Sequence, residues 1–414
     1  MVATMLTQDK DQAKGYGCKT KPASHFSWAD HMNRLSPSDF KHRYRLDPEG
    51  FDALLKIIAD DLKVRDEKQS KNSNWGVINE PHVKLAVALR FLAGGQVLDL
   101  KLIYHLDSKA TVYRYIWQVV DAINLRLKVD FPYEDVEKLK VLEGEFRAAS
   151  LGGIWPGQVM ALDGVHFKML SPTEKDVPNP MRYHVARKGE YTLLCMAGCD
   201  AARRFQFFDI SQAPTTHDSM AWSGSTVGQA VMAGKLPGDF FVSGDAAFST
   251  GPSVITPSGE PAHDDFDYHQ SSNRMPIECA FGILVRRWGI FWRPLSMRFD
   301  RRALVVEVCM KLHNFCIDRR IHESLLRQKG DYTEVQPRRW VRTPLFDREG
   351  RPVEFLDILR TKPRPPAHAT ALALRYAKRD ALVQAVAESG LKRPALKAGV
   401  RKKQKKRRGR KPKQ

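Results

Sequence analysis

The chain has 414 residues and is 43% hydrophobic, which is enough for about two globular domains with polar tails. No apolar run approaches the ~18 to 20 residues that span a bilayer, and the N-terminus has no signal-type apolar segment, so we expect neither a membrane protein nor secretion by that route. The formal net charge is +20, and 13 of the 67 Lys and Arg residues fall in the last 24 positions, so most of this charge belongs to the C-terminal tail.

A helical domain is expected over residues 26–150, after a flexible polar lead at 1–25. Apolar residues recur at helical spacing from Phe51 onward, and the preceding Asp47-Pro48 is typical of a helix start. This part of the chain therefore predicts an all-α fold.

Three helical stretches between residues 81 and 127 are joined by glycines at 94–95 and by a short turn at 107–108. This layout predicts a helix-turn-helix whose third stretch, from Ser108 onward, is the recognition helix. Apolar side chains of that helix are expected to pack inward: Val112, Ile116 and Val119. Polar side chains on its outer face are then available to DNA: Lys109, Tyr113 and Arg114. A three-helix unit can equally serve as a scaffold, and the sequence leaves both interpretations open.

The pattern changes to strands from about residue 155. Apolar strands are predicted at 157–170, 191–201, 203–213 and 239–248. Helices are predicted at 217–236, from Pro276 onward and at 301–320, with a loop rich in Pro, Gly, Ser and Asp over 249–274. Strand, strand, strand, helix, strand, helix is the order of a ribonuclease-H-like core, so we predict an α/β domain of that type over residues 151–320.

Two acidic residues interrupt strands that are otherwise apolar: Asp163 follows VMAL, and Asp245 follows FFVSG. Unpaired carboxylates in a low dielectric are costly, so buried acids are typically protonated or held by a cation. Carboxylate oxygens suit Mg²⁺ or Mn²⁺, and two such ions can support phosphodiester cleavage. A ribonuclease-H-like sheet places its first strand beside its fourth, which would bring Asp163 and Asp245 together.

A third acid, Glu278, lies in the segment RMPIECAFGILVRRWGIF beside an apolar helical stripe, and Gly282 leaves room one turn further on. Glu278 could complete a metal site with the two aspartates. The alternative is that Pro276 begins the helix and Glu278 lies in its first turn, where an acid suits the helix dipole. Spacing alone does not decide between them, because the chain has 47 acidic residues.

Several motifs in sequence order resemble the DDE endonuclease domain of PIF/Harbinger transposases: ALDGVHF, GDAAFSTGPSVITP, SSNRMPIECAFGILVRRWGIFWRPL and LHNFCIDRR. The resemblance covers about residues 155–320 and implies a ribonuclease-H-like fold. It places the catalytic triad and the metal ligands on Asp163, Asp245 and Glu278. The implied cofactor is Mg²⁺ or Mn²⁺, as two ions, and the implied substrate is DNA.

The same resemblance implies a function and partners. It predicts a transposase that cuts and joins DNA strands by two-metal hydrolysis and transesterification. Relatives often work with a separate Myb-like DNA-binding protein, so such a partner and a homo-oligomer on DNA are expected. Two alternatives stay open: a domesticated, transposase-derived DNA-binding or chromatin protein without cleavage, and a nuclease that acts on RNA or hybrids.

Two further motifs each have two interpretations. The stretch PTTHDSMAW resembles the family's His-Asp-Ser segment, which here is His217, Asp218 and Ser219, although an Asp beside a Ser at a helix start is often a cap. The Arg286-Arg287 pair follows Glu278 on the same helix. It could bind a DNA phosphate or form a solvated face.

The C-terminal part is expected to hold one more helix, at about 368–388, within an extension over 321–390. Residues 391–414 then contain 13 Lys or Arg and no acid, so they cannot collapse and should be disordered. Such a tail is typical of a nuclear-import signal or a nucleic-acid arm, and it can also serve solubility alone. We expect the protein in the nucleus.

Overall fold

The computed structural model describes residues 26–63, 80–153, 155–319 and 371–394. Within those ranges, no helix is long and apolar enough to cross a membrane. The chain divides into two compact units, a first unit made of residues 1–91 and 95–122, and a second unit made of residues 92–94 and 123–414. The predicted N-terminal lead, most of the predicted extension and the tail beyond residue 394 lie outside the described residues.

The first unit is helical, as the sequence predicts. Its helices are α1 (Trp28–Asn33), α2 (Pro37–Tyr44), α3 (Pro48–Leu62), α4 (Pro81–Leu92), α5 (Val97–Ile103) and most of α6 (Lys109–Arg126). The predicted start of α3 is confirmed, because the Asp47 carboxylate caps the helix by accepting a hydrogen bond from the Gly50 N–H at 2.8 Å. Aromatic side chains pack in its core: Phe40, Tyr44 and Phe51.

Helix α6 presents the two faces that its spacing predicts. Its inward side chains are fully buried: Val112, Ile116 and Val119. Its outward side chains are exposed: Lys109, Tyr113 and Arg114. The predicted orientation of this helix in the first unit is confirmed, and its contact with DNA stays a prediction.

The second unit is built on a mixed sheet. Its strands are β1 (Gln158–Lys168), β2 (His184–Val185), β3 (Glu190–Cys199), β4 (Phe205–Asp209), β5 (Phe241–Ser243) and β6 (Val254–Ile255). Strand β1 lies antiparallel to β3 on one side and parallel to β5 on the other, and β6 pairs with β5 in parallel. Strands β2 and β4 both pair with β3. The first and fourth predicted strands are therefore neighbours, as expected.

The helices of the second unit follow the predicted order and make it a mixed α/β fold. They are α7 (Val136–Ala149), α8 (Asp218–Gly224), α9 (Thr226–Met232), α10 (Asp264–Arg287), α11 (Phe299–Asp318) and α12 (Ala371–Glu388). The single helix predicted over 217–236 is two helices, because Ser225 ends α8 and caps α9. Its Oγ accepts a hydrogen bond from the Gly228 N–H at 3.0 Å.

The main core of this unit joins the sheet to helices α7, α8 and α9. Buried side chains from all of these elements contribute: Leu139, Leu142, Val159, Met160, Trp222, Val231 and Val242. Because α7 belongs to this core, the second unit begins upstream of residue 150, where the sequence predicts a domain boundary.

Helix α12 packs on the rest of the second unit through Leu382 and Val386. These two side chains and the four that they cover are named here the C-terminal apolar cluster: Trp155, Phe241, Ile255, Phe266, Leu382 and Val386. Polar contacts reinforce this docking. The Lys378 Nζ donates to the carbonyls of Gly238 at 2.6 Å and Phe240 at 3.0 Å. Beyond the helix, the Arg393 Nη1 pairs with the Asp264 carboxylate at 2.6 Å. The last predicted helix is thus present and belongs to the body of the unit.

Helix α10 begins earlier than the sequence predicts. The sequence predicts a loop up to residue 274 and a helix start at Pro276, but the helix runs from Asp264 and contains Pro276. Its first half, DDFDYHQSSNR, has a loop-like composition, yet its Gln270 side chain is fully buried. Tertiary contacts therefore outweigh composition and the missing N–H of proline. Glu278 lies well inside the helix, so the first-turn explanation for this acid is wrong.

Candidate active site

The pairing of β1 with β5 places two of the predicted acids side by side. Ala161 pairs with Ser243 across the parallel strands, and Asp163 and Asp245 each lie two residues beyond that pair. Side chains two residues apart point to the same face of a strand, and paired strands lie ~4.8 Å apart. Asp163 lies on β1, and Asp245 lies just past the carboxyl end of the neighbouring β5. The two acids are therefore close at this edge of the sheet, where the Asp245 charge acts on the Asp163 carboxyl.

A row of polar side chains on α10 faces this edge at i, i+4 and i+8: Gln270, Arg274 and Glu278. The Gln270 Nε2 donates to the Gly244 carbonyl at 2.7 Å and to the Ser243 Oγ at 3.0 Å. These bonds tie the helix to the residue that precedes Asp245. The register between α10 and β5 is therefore fixed one helical turn before Arg274 and two before Glu278.

Arg274 joins two of the three predicted acids. Its Nη1 lies 3.3 Å from the Asp163 Oδ2, and its Nη2 lies 2.5 Å from the Glu278 Oε1. The Arg274 side chain is 13% exposed, whereas that of Glu278 is 51% exposed. The guanidinium thus lies between a partly buried aspartate on the sheet and an accessible glutamate on its own helix.

The surroundings of Asp163 disfavour its charged form. Burial is the largest cause and raises the pKa of this carboxyl to about 6 from 3.8. The Arg274 guanidinium and the Gly164 N–H oppose this shift, while the charges of Asp245 and Glu278 add to it. A carboxyl in this position gains from any cation that reaches it.

Asp218 is a fourth acid near the same edge of the sheet. A Cβ atom on Gly164 would lie 2.9 Å from the Asp218 Oδ1, so this carboxylate is packed against the residue that follows Asp163. Burial raises the pKa of Asp218, and the Asp245 charge raises it further. The structure therefore adds Asp218 to the neighbourhood of the two aspartates.

His217 provides the cap at the start of α8. Its ring Nδ1 lies 2.8 Å from the Ser219 Oγ and accepts from the Ser219 N–H at 3.4 Å. The predicted alternative that Asp218 is the cap is therefore wrong, because the N-cap is His217 and Asp218 is the first residue of the helix.

A comparison with protein families found a match within the second unit. Residues 162–314 match the model of the DDE superfamily endonuclease family. The matched segment is less than half of the chain and contains all four acids of this edge: Asp163, Asp218, Asp245 and Glu278. Comparisons with curated proteins and with solved structures gave no match. The family match supports a DDE transposase and suggests that the second unit is a nuclease.

The donor set suits the divalent metal ions that DDE endonucleases normally use. All donors are carboxylate oxygens, which Mg²⁺ and Mn²⁺ prefer, and Arg274 shows that this place accommodates positive charge. Among the described residues, no group of three or more His, Cys, Asp or Glu side chains is arranged to hold a metal ion. The guanidinium between Asp163 and Glu278 gives a physical reason, because it keeps these two carboxylates on either side of itself.

The sequence alone does not single out Gln270 and Arg274. Their signal is the i, i+4, i+8 spacing with Glu278, and it is visible only if the helix is extended upstream of Pro276. With α10 extended in this way, the row of Gln270, Arg274 and Glu278 would indicate a site on the helix face that lies against the sheet.

The predicted basic residues differ in accessibility. Arg287 is 5% exposed, and its Nη1 has no hydrogen-bond partner within the described part of the chain. Burial argues against direct contact of Arg287 with a phosphate and rules out a solvated face for it. Arg286 is partly exposed and is the more accessible of the pair. The other predicted contacts belong to the first unit: Lys109, Tyr113 and Arg114.

Proposed function

We propose that this chain is a PIF/Harbinger-type DDE transposase that cuts and joins DNA strands. The observation that carries the proposal is the meeting of Asp163, Asp245 and Glu278 around one edge of the sheet, inside the segment that matches DDE endonucleases. In this proposal the second unit is ribonuclease-H-like, and the three acids hold two Mg²⁺ or Mn²⁺ ions.

The three acids differ in how firmly the fold holds them. Strand pairing fixes Asp163, and the Gln270 bonds fix the backbone beside Asp245. Glu278 is accessible, and a Cβ atom on Gly282, one turn further on, would meet nothing within 4 Å in the part of the chain that the structure describes. In this proposal a DNA strand approaches the acids from the Glu278 side. Bound divalent ions would supply activation of a water or 3′-hydroxyl and stabilisation of the leaving oxygen.

DNA binding and nuclear localisation are further parts of the proposal. Accessible side chains support a DNA contact on each unit: the exposed Lys109, Tyr113 and Arg114 on α6, and the partly exposed Arg286 on α10. The concentration of Lys and Arg in residues 391–414 supports a nuclear location and non-specific binding to DNA. A Myb-like partner protein and a homo-oligomer on DNA rest on the family resemblance.

Nicking of supercoiled DNA by the purified chain tests the proposal. Wild type with Mg²⁺ should nick. EDTA, which removes the ions, and Asp163→Asn or Asp245→Asn, which each remove a ligand charge, should reduce the rate by orders of magnitude. Asp318→Asn is the matched control, since it removes an exposed carboxylate of the same unit. Wild-type nicking by Asp163→Asn would refute the assigned site.

Two other outcomes would point to other functions. DNA binding without nicking by any form would indicate a domesticated DNA-binding protein. Preferred cleavage of a matched RNA or hybrid substrate would indicate an RNA nuclease.

A further inference from the structure

The contacts of Arg274 differ from those of a residue that only holds α10 against the sheet. Gln270, one turn earlier, is neutral and binds backbone and hydroxyl groups that have no other proposed role. Arg274 instead contacts Asp163 and Glu278, two of the carboxylates proposed to hold metal. A guanidinium and a metal ion cannot occupy the same gap between these oxygens.

The contacts of Arg274 also differ in length. Charge-assisted N–H···O bonds are typically ~2.7 to 2.9 Å long, so the 3.3 Å contact with Asp163 is loose, whereas the 2.5 Å contact with Glu278 is tight. Glu278 is half exposed, so the guanidinium can move toward solvent on that side together with its tighter partner. The looser contact is the one on the more buried carboxylate, where a metal ion would bind.

We propose that Arg274 is a built-in counter-ion that fills the gap between Asp163 and Glu278 and must leave it before a divalent ion binds. Arg274 then acts as a positioning residue: it holds Asp163 and Glu278 on either side of itself in the metal-free protein, and the need to displace it weakens metal binding. This inference rests on the proposed function, because it assumes that the three acids are metal ligands.

Binding of Mn²⁺ tests the inference without any measurement of DNA cleavage. Titration by calorimetry or by the electron paramagnetic resonance of free Mn²⁺ should include wild type, Arg274→Gln and Arg274→Lys. Removing a positive charge a few ångströms from a divalent ion should raise its affinity about tenfold or more, even at the dielectric of water. Arg274→Lys keeps the charge but loses the fork that reaches two carboxylates, so its affinity should lie between those of wild type and Arg274→Gln.

Arg204→Gln is the matched control. Arg204 forms an ion pair in the same unit, in which its Nε lies 2.9 Å from the Asp318 Oδ1. Arg204→Gln removes this positive charge and should leave Mn²⁺ affinity unchanged. Asp163→Asn should abolish tight Mn²⁺ binding. If wild type does not bind Mn²⁺, or if Asp163→Asn binds it as tightly as wild type does, the proposed function is refuted rather than the role of Arg274.

If Mn²⁺ binding by wild type depends on Asp163, the inference is decided by the Mn²⁺ affinity of Arg274→Gln relative to that of wild type. A gain of at least about fivefold supports displacement of the guanidinium, and any smaller gain, no change or a loss overturns it. If Arg274→Gln is too unstable without metal for titration, thermal unfolding with and without Mn²⁺ takes the place of the affinity measurement. Mn²⁺ should then stabilise Arg274→Gln more than it stabilises wild type, and a variant that stays unfolded in saturating Mn²⁺ would show that Arg274 is a permanent brace.

Discussion

Replacing Asp163 with asparagine should stabilise the metal-free protein at neutral pH. Burial, as the largest cause, raises the pKa of Asp163 to about 6 from 3.8. Between these values the folded carboxyl keeps a proton that the unfolded carboxyl has released, so stability falls as pH rises through this window. At about 1.36 kcal/mol per pKa unit, the ionised carboxylate lowers the free energy of unfolding by at most about 3 kcal/mol above pH 6.

Asparagine keeps the shape of the side chain and cannot ionise. Asp163→Asn should therefore raise the free energy of unfolding by about 3 kcal/mol at pH 8 and by roughly half as much at pH 5. The measurement is urea unfolding in EDTA at both pH values, with Asp318→Asn as the control for loss of an exposed carboxylate. Destabilisation by Asp163→Asn at pH 8, or the same gain at both pH values, would refute the reasoning.

Three further predictions concern Glu278, the last helix and the tail. Glu278→Gln breaks an exposed ion pair and should lower the free energy of unfolding by only a few tenths of a kcal/mol, while Mg²⁺-dependent nicking falls by orders of magnitude. Glu307→Gln breaks a comparable i,i+4 pair on α11 and should nick normally; equal nicking by both variants would end the catalytic role of Glu278. Leu382→Ala opens a cavity in the C-terminal apolar cluster and should lower the free energy of unfolding by about 2 to 5 kcal/mol in urea, whereas a loss below ~1 kcal/mol would mean that α12 is loosely attached. Deleting residues 395–414 removes 11 Lys and Arg, so the slope of log DNA affinity against log salt should become shallower, and an unchanged slope would mean that this segment does not touch DNA.

The main strands and their acids could be predicted because their signals are local. Asp163 and Asp245 stand out in the sequence as charges within or just after apolar runs, and short apolar runs between turns favour strands. Their neighbourhood followed from the strand order of the expected fold, which the pairing of β1 with β5 reproduces.

The start of α10 and the role of Arg274 could not be predicted in this way. The first half of α10 is polar, and it is helical because partners far away in sequence hold it, such as Arg393 at Asp264 and Ser243 at Gln270. Local propensity cannot report contacts of this kind. A loop up to residue 274, as the local sequence predicts, takes Arg274 off the helix face of Glu278, so the sequence does not indicate their ion pair.

The docking of α12 limits how the second unit can be shortened. The segment that matches DDE endonucleases ends at residue 314, yet Phe241, Ile255 and Phe266 are covered by a helix that begins at Ala371. A fragment that stops after α11 would leave these side chains in water, and an uncovered apolar patch of this kind promotes aggregation. Recombinant fragments of the second unit should therefore retain residues 371–394, either in the same polypeptide or added as a separate peptide that restores solubility.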